Sequence, residues 1–321
     1  MSEKFAAHRA ANQDADDAPQ LSASPGFAPA PRHRLLLCPP THFAVDYVIN
    51  PWMQGHVHGA DARRAGAQWQ ALRHVLLAHA QVEEMEPVPG LPDLPFTANA
   101  GLVVGDVFVP SRFAHPERQG EEPYFIDWFG QQGYRVRPLP GPLRFEGAGD
   151  ALLDRGAQRL WMGYGHRSER AVAAELERML DLQVVPLRLR DPRFYHLDTC
   201  FCPLRGGWLL YFPDAFDAEA RREIEMRVPP HRRIAVEEAD ALAFACNAVD
   251  LDDRVVLNRA SPALRQALAA AGYATHETPL DEFLKAGGAA KCLTLRLDEA
   301  AQGSATVGWT RATAPQELRA V

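Results

Sequence analysis

The sequence predicts an α/β protein built from five strand–strand–helix–strand units in a radial or stacked array. Three observations carry the prediction. Five amphipathic stretches with helical periodicity begin near 62, 120, 167, 217 and 261, so they recur every 45 to 58 residues or so. Each is followed by a short apolar segment, and most are preceded by two. The last strand candidate, CLTLRL, has no helix after it, while the first unit opens on RLLLC. A closed ring would pair these two segments and leave no exposed sheet edge there.

The units follow in order. The first contributes RLLLC, the helix ARRAGAQWQALRHVLLAHA and the strand QVEEMEPV. In the second, AGLVVGD and VFVPS precede the helix GEEPYFIDWFGQQG and the strand YRVRPLP. The third carries RSERAVAAELERMLDL and QVVPLRL. TCFCPL and GWLLYF open the fourth, which continues through DAEARREIEMRV to RRIAVEE. SPALRQALAAAG and YATHETPL belong to the fifth. Residues 1–32, rich in Ala, Pro, Asp and Ser, are expected to be a disordered tail, and 301–321 a second flexible tail, around one catalytic domain over 33–300.

Composition narrows the function. With 34 Lys and Arg against 41 Asp and Glu, the formal net charge is −7, which argues against non-specific nucleic-acid binding. No apolar run approaches the roughly 18 residues that span a bilayer, and the N-terminal stretch has no apolar core of a secretory signal. Five cysteines, an odd number, suggest reduced thiols in a cytoplasm. Neither a membrane nor a nucleic-acid partner is therefore expected, and a small anionic or zwitterionic substrate stays open.

The reactive residues recur at one position of the repeat. The turns LPFTANAG, RFEGAGDAL, FYHLDTCF, FACNAVDL and AAKCLTL enter the units. Asn99 to Asp150 is 51 residues, then 46 to His196, 51 to Asn247 and 45 to Cys292. Units around one axis would turn all of these toward a central cavity. Each has an ordinary alternative. A lone cysteine is more often a small buried hydrophobe, but Cys292 follows KAGGAAK, with two glycines that permit close backbone approach and Lys291 beside the thiol. A lone histidine is more often structural, but His196 has Asp198 two positions on, either as an orienting partner or as a substrate contact. Glu146 and Asp150 flank GAG, which is either a solvated turn or a carboxylate loop at a cavity.

The stretch RFYHLDTCFCPL raises metal and redox readings. Its i, i+2 spacing would put His196, Asp198, Cys200 and Cys202 on one strand face. No second cluster completes a zinc set, and C-x-C is not a C-x-x-C redox pair. No metal is expected, and Cys200, Cys202 and Cys38 are read as packing, with Cys246 the main rival to Cys292.

Together, LLLCPPTHFAVDYVINPWM, FTANAGLVVGDVFVPSRFAHPERQGEEPYF, FEGAGDALLD, FYHLDTCFCPL, FACNAV and EFLKAGGAAKCLTL closely resemble the arginine dihydrolase family over about residues 34 to 297. That family belongs to the pentein group of guanidine-modifying enzymes, with arginine deiminases, dimethylarginine hydrolases and amidinotransferases. The resemblance implies a five-bladed pentein α/β propeller, Cys292 as nucleophile and His196 as general acid/base, with Glu146 and Asp150 in the substrate pocket. It also implies that Arg118 and Arg167 hold the substrate α-carboxylate, and that Asn50, Asn99, Asp198 and the Ala286 backbone line the site. Neither cofactor nor metal is implied. The substrate implied is L-arginine, converted with two waters to ornithine, carbon dioxide and two ammonia; homo-oligomers and a separate ornithine-using enzyme are compatible with it. Where deiminase-like turns of the FTRD or VED type place a carboxylate against the guanidinium, this chain has FTAN, so Asn99 is neutral. The alternatives are a one-step hydrolase, either a deiminase or a dimethylarginine hydrolase, and a non-catalytic binding propeller.

Overall fold

The computed structural model describes residues 33–299. The two expected tails, 1–32 and 301–321, lie outside the described residues. β1 (Arg34–Leu37) runs parallel to β2 (Gln81–Glu84), reached through α1 (Ala62–Leu77). A parallel neighbour requires such a crossover. α1 forms because Asp61 caps the Arg64 N–H and because Ala65, Trp69, Leu72 and Leu76 make one buried stripe.

The next unit begins with the hairpin β3 (Gly101–Val104) and β4 (Val107–Pro110), continues through α2 (Pro116–Gln119) and α3 (Glu122–Gln131), and ends with β5 (Arg135–Val136). α4 (Gly147–Asp150) then leads into β6 (Ala151–Leu153), β7 (Arg159–Tyr164), α5 (Val172–Leu180) and β8 (Gln183–Arg188). The fourth unit is β9 (Phe201–Leu204), β10 (Trp208–Tyr211), α6 (Ala218–Arg227) and β11 (Arg233–Ala235). α7 (Glu238–Leu242) precedes the fifth, which is β12 (Val249–Leu251), β13 (Arg254–Leu257), α8 (Pro262–Ala270) and β14 (Ala274–Glu277). Last come α9 (Asp281–Leu284) and β15 (Leu295–Arg296).

The result is five three-stranded sheets, each antiparallel then parallel, the pentein propeller that the repeat and the resemblance anticipated. The sheet of the first unit is β15–β1–β2, so chain end and chain start pair, with Leu35 opposite Arg296 and Leu36 opposite Leu295. The first strands β3, β6, β9 and β12 are buried throughout, as is the middle strand β4, while the last strands β2 and β14 are exposed at both ends. Strands buried on both faces read as continuous apolar runs. The turns entering these inner strands therefore converge, and that is where the chemistry-bearing residues sit.

The structure corrects one local reading. β9 starts at Phe201, and the Leu197–Thr199 segment before it is a 3₁₀ turn. His196, Asp198, Cys200 and Cys202 thus share no strand face. The Cys200 thiol is donated to the Leu197 carbonyl at 3.6 Å and that of Cys202 to the Ala248 carbonyl at 3.4 Å, both in the core. Among the described residues, no helix is long and apolar enough to cross a membrane.

Candidate active site

Five entry segments from five sheets supply the site. Asn99 lies in the 3₁₀ turn Thr97–Ala100 ahead of β3, and Glu146 and Asp150 bracket α4 ahead of β6. His196 and Asp198 occupy the turn before β9, Asn247 stands ahead of β12, and Cys292 precedes β15. All five segments meet across long stretches of chain: the Ala98 N–H, next to Asn99, donates to the Cys292 carbonyl at 3.1 Å.

A pocket of about 250 Å³ is lined by Asn50, Asn99, Arg118, Arg167, Ala286 and Cys292, together with Asp93 and Tyr195. Asn50 caps the Pro51–Met53 turn with Oδ1 and donates Nδ2 to the Ala286 carbonyl at 3.0 Å. Glu146, Asp150, His196 and Asp198 are not in the lining; they are packed against it through hydrogen bonds. Gly287, at φ 84°, passes so close that a Cβ there would lie 2.8 Å from the Tyr195 hydroxyl oxygen. The glycines of KAGG thus first serve contacts within the protein itself.

Charge is concentrated and paired. Arg118 is buried; its Nε and Nη2 donate to Glu121 at 2.8 and 2.7 Å, and its Nη1 donates to Asn99 Oδ1 at 2.8 Å. Burial pushes Glu121 up to about 7 against the opposing charge of Arg118. Arg167 donates Nη1 to Glu146 Oε2 at 2.9 Å and Nη2 to the Ile49 carbonyl at 2.9 Å, and lies over the Tyr195 ring. Asp93 accepts from the Tyr47 hydroxyl at 2.9 Å; its other oxygen has no partner among the described residues, and burial raises its pKa.

His196 Nε2 is 2.7 Å from Glu146 Oε2. A carboxylate acceptor assigns the ring N–H to Nε2 and leaves Nδ1, which has no partner among the described residues, as the bare nitrogen. Burial lowers His196 to about 4, against the pull of Glu146. Glu146 itself, although burial opposes ionisation, is held well below the usual carboxylate range by Arg167 and His196. The pair therefore stands as neutral imidazole on carboxylate.

Asp198 faces Cys292, not His196: the thiol is donated toward its carboxylate at 3.5 and 3.6 Å. Burial pushes Asp198 up to about 7 and, with the Asp198 charge, pushes the Cys292 thiol well above its ordinary value. The partner orienting His196 is thus Glu146. Asp150 holds the turn that carries the histidine, accepting from the Leu197 N–H at 3.0 Å and from the Ser168 hydroxyl at 2.6 Å. Cys246, the rival thiol, is fully buried, and burial raises its pKa.

Sequence reasoning missed Asp93, Glu121, Ser168 and Tyr195. Glu121 was findable, since it stands three residues after Arg118; the others have no local signal. Gly149 carries the tightest constraint: a Cβ there would lie 2.3 Å from Asn99 Nδ2 and 3.3 Å from His196 Nδ1. Gly149→Ala is expected to displace both groups and cut turnover by about 10²-fold. Ammonia release beside a thermal melt checks this; wild-type turnover would show that the site tolerates the shift.

A sequence model of the family described as N,N dimethylarginine dimethylhydrolase, eukaryotic, matches residues 62–298. The dimethylarginine dimethylaminohydrolase of Mycobacterium tuberculosis is 40% identical over 266 residues, 82% of this chain and 85% of that protein. The chain belongs to this family of hydrolases acting on guanidino C–N bonds. Within it, the chain is 60% identical over 268 residues to the bifunctional arginine dihydrolase/ornithine cyclodeaminase AgrE of Nostoc sp., 84% of this chain and 38% of AgrE. It thus spans about 38% of that relative's length. A crystal structure of the N-terminal domain of ArgZ, a cyanobacterial arginine dihydrolase, in a cysteine-to-serine variant bound to substrate, superimposes with a TM-score of 0.83 at 57% identity, covering 84% of this chain and 99% of that one.

Proposed function

We propose that the protein is an arginine dihydrolase, converting L-arginine and two waters to L-ornithine, carbon dioxide and two ammonia through covalent intermediates on Cys292. One observation carries this over the one-step alternatives: the pocket that Cys292 lines presents the neutral amide of Asn99. Its Oδ1 is committed to Arg118, and its Nδ2 has no partner among the described residues. A donor N–H suits the oxygen of a ureido group, so the site can retain citrulline for a second hydrolysis. The relatives AgrE and ArgZ, arginine dihydrolases by name, support the reading.

The chemistry follows from the pairs. Arg118 and Arg167 receive the substrate α-carboxylate, and Asp93 supplies negative charge on the same wall. Entry of the guanidinium cation favours the thiolate of Cys292. The Cys292 thiol proton passes to His196, the thiolate bonds to the guanidinium carbon, and the imidazolium gives that proton to the leaving nitrogen, whose bond to carbon breaks as it departs as ammonia. The imidazole next takes a proton from water adding to that carbon, the C–S bond breaks, and citrulline forms. A second attack, on the ureido carbon, expels the second ammonia. Hydrolysis of that adduct leaves a carbamate that loses carbon dioxide.

The test is to incubate the protein with L-arginine and quantify ornithine, citrulline and ammonia together. Two ammonia per ornithine with little citrulline is expected. One ammonia per citrulline would make it a deiminase. Asn99→Asp is expected to shift product toward citrulline by about tenfold, since a carboxylate holds the cation but not the neutral ureide. An unchanged ornithine-to-citrulline ratio would remove the role given to Asn99. A dimethylarginine hydrolase, the activity named for the M. tuberculosis relative, would release dimethylamine from dimethylarginine and leave arginine intact.

A further inference from the structure

Asn247 stands between α7 and β12 and is fully buried. Its side chain commits every hydrogen-bonding position to the cysteine turn and the aspartate beside it. Oδ1 accepts from the Ala289 N–H at 3.0 Å and from the Cys292 N–H at 3.1 Å. Nδ2 donates to the Asp198 carbonyl at 3.1 Å and to Cys292 Sγ at 3.1 Å. An amide offers two acceptor sites and two donor hydrogens, so the set is complete. It also fixes the orientation, because two backbone N–H groups require the oxygen and leave the NH₂ for the sulfur. A residue that merely clamped the backbone would need the acceptor and the one donor hydrogen that meets the Asp198 carbonyl. The second donor hydrogen, on Sγ, goes beyond that clamp.

We propose that Asn247 stabilises Cys292 as a thiolate, donating one N–H to Sγ whenever the sulfur is free. This rests on Cys292 being the nucleophile of the proposed reaction. In each cycle the sulfur lone pair forms the bond to carbon and returns to sulfur when the C–S bond breaks; at both ends the charge sits beside the Asn247 N–H, and no proton leaves the amide. A preorganised donor aimed at developing charge acts without reorganisation. The other groups facing the sulfur are Asp198, which opposes ionisation, and Lys291 and the Ala289 N–H, which favour it. Tyr195 also interacts with it, and Asp93, Arg118 and Arg167 line the same pocket. Asn247 is a neutral side chain that touches the sulfur directly, so replacing it changes the hydrogen bond without changing the charge.

The experiment uses the full chain with Asn247→Ser and Asn247→Leu, both uncharged. Iodoacetamide alkylation of the Cys292 peptide is followed by mass spectrometry from neutral to alkaline pH, together with steady-state turnover of arginine. Below the thiol titration, both variants are expected to alkylate about tenfold more slowly, an upward displacement of the profile by about one pH unit. Turnover should fall by about 10²-fold with KM changed less than about threefold. A wild-type alkylation profile in the variants overturns the proposal even if turnover falls, because loss of the backbone clamp alone lowers turnover without moving thiol ionisation. If the leucine variant does not fold, the smaller polar serine decides. The outcomes separate from the underlying reading: an active Cys292→Ser variant would remove the nucleophile assignment. An inactive one, combined with unshifted Asn247 profiles, would remove only the role of the amide.

Discussion

Cys292→Ser is expected to abolish ammonia release from arginine, by on the order of 10⁴-fold or more. The substitution is nearly isosteric, and Cys292 is buried on the pocket wall, so the fold has little reason to change. What changes is the nucleophile. A thiol ionises within reach of a cationic substrate, whereas an alcohol does not, and the carboxylate against Sγ, Asp198, is itself pushed toward its neutral form by burial. Cys246→Ala is the matched control: that side chain is buried and outside the pocket lining, so turnover within about threefold of wild type is expected at some cost in stability. The reverse pattern, an active serine variant and an inactive Cys246→Ala, would move the nucleophile to the neighbouring unit.

Glu146→Gln should produce the second large effect, on both turnover and stability. Glu146 Oε2 accepts from Arg167 and His196 at once, and Oε1 accepts from the Ala114 N–H at 3.1 Å. The imidazole loses its anionic partner, and the amide NH₂ must face either the Ala114 N–H or the donors at Oε2, so turnover is expected to fall by about 10² to 10⁴-fold. Arg167 would also be left buried without its counter-charge, which costs about 3 to 5 kcal/mol in comparable buried pairs.

The pH dependence has a definite sign. Glu146 in the folded chain titrates below its ordinary 4.5, and His196 is lowered from 6.5 to about 4. In both cases the unfolded chain binds protons first as pH falls. Their contribution to stability is therefore present at neutral pH and lost as pH drops below 6.5 and then through the folded values. Denaturant melts of wild type and variant across that window measure it. The variant should lose stability less steeply toward acid, and parallel curves would show that this pair does not govern the acid limb.

The architecture was legible because it is repeated. Five helices at similar intervals, each between short apolar strands, leave few ways to bury their faces, and the pairing of RLLLC with the final strand followed from the need to cover an edge. The same spacing located the chemistry, since Asn99, Glu146, His196, Asn247 and Cys292 all enter inner strands. The roles implied for those residues came from the family resemblance, not from periodicity.

What the chain order could not reveal was who touches whom. The local pairing of His196 with Asp198 suggested an orienting aspartate, but a 3₁₀ turn at Leu197–Thr199 sends the imidazole to Glu146 and the carboxylate to Cys292. A three-residue turn decided that, and no periodicity encodes it. Asp93 and Asn247 acquire meaning only from contacts that cross between units. By itself the sequence determined the five-unit fold and the set of turns where the chemistry lies, because hydrophobic period and edge closure are properties of the linear pattern. The tertiary structure alone decided the pairings His196–Glu146, Cys292–Asp198 and Asn247–Cys292, because a buried charge or donor takes whichever partner the closed ring brings within hydrogen-bonding distance.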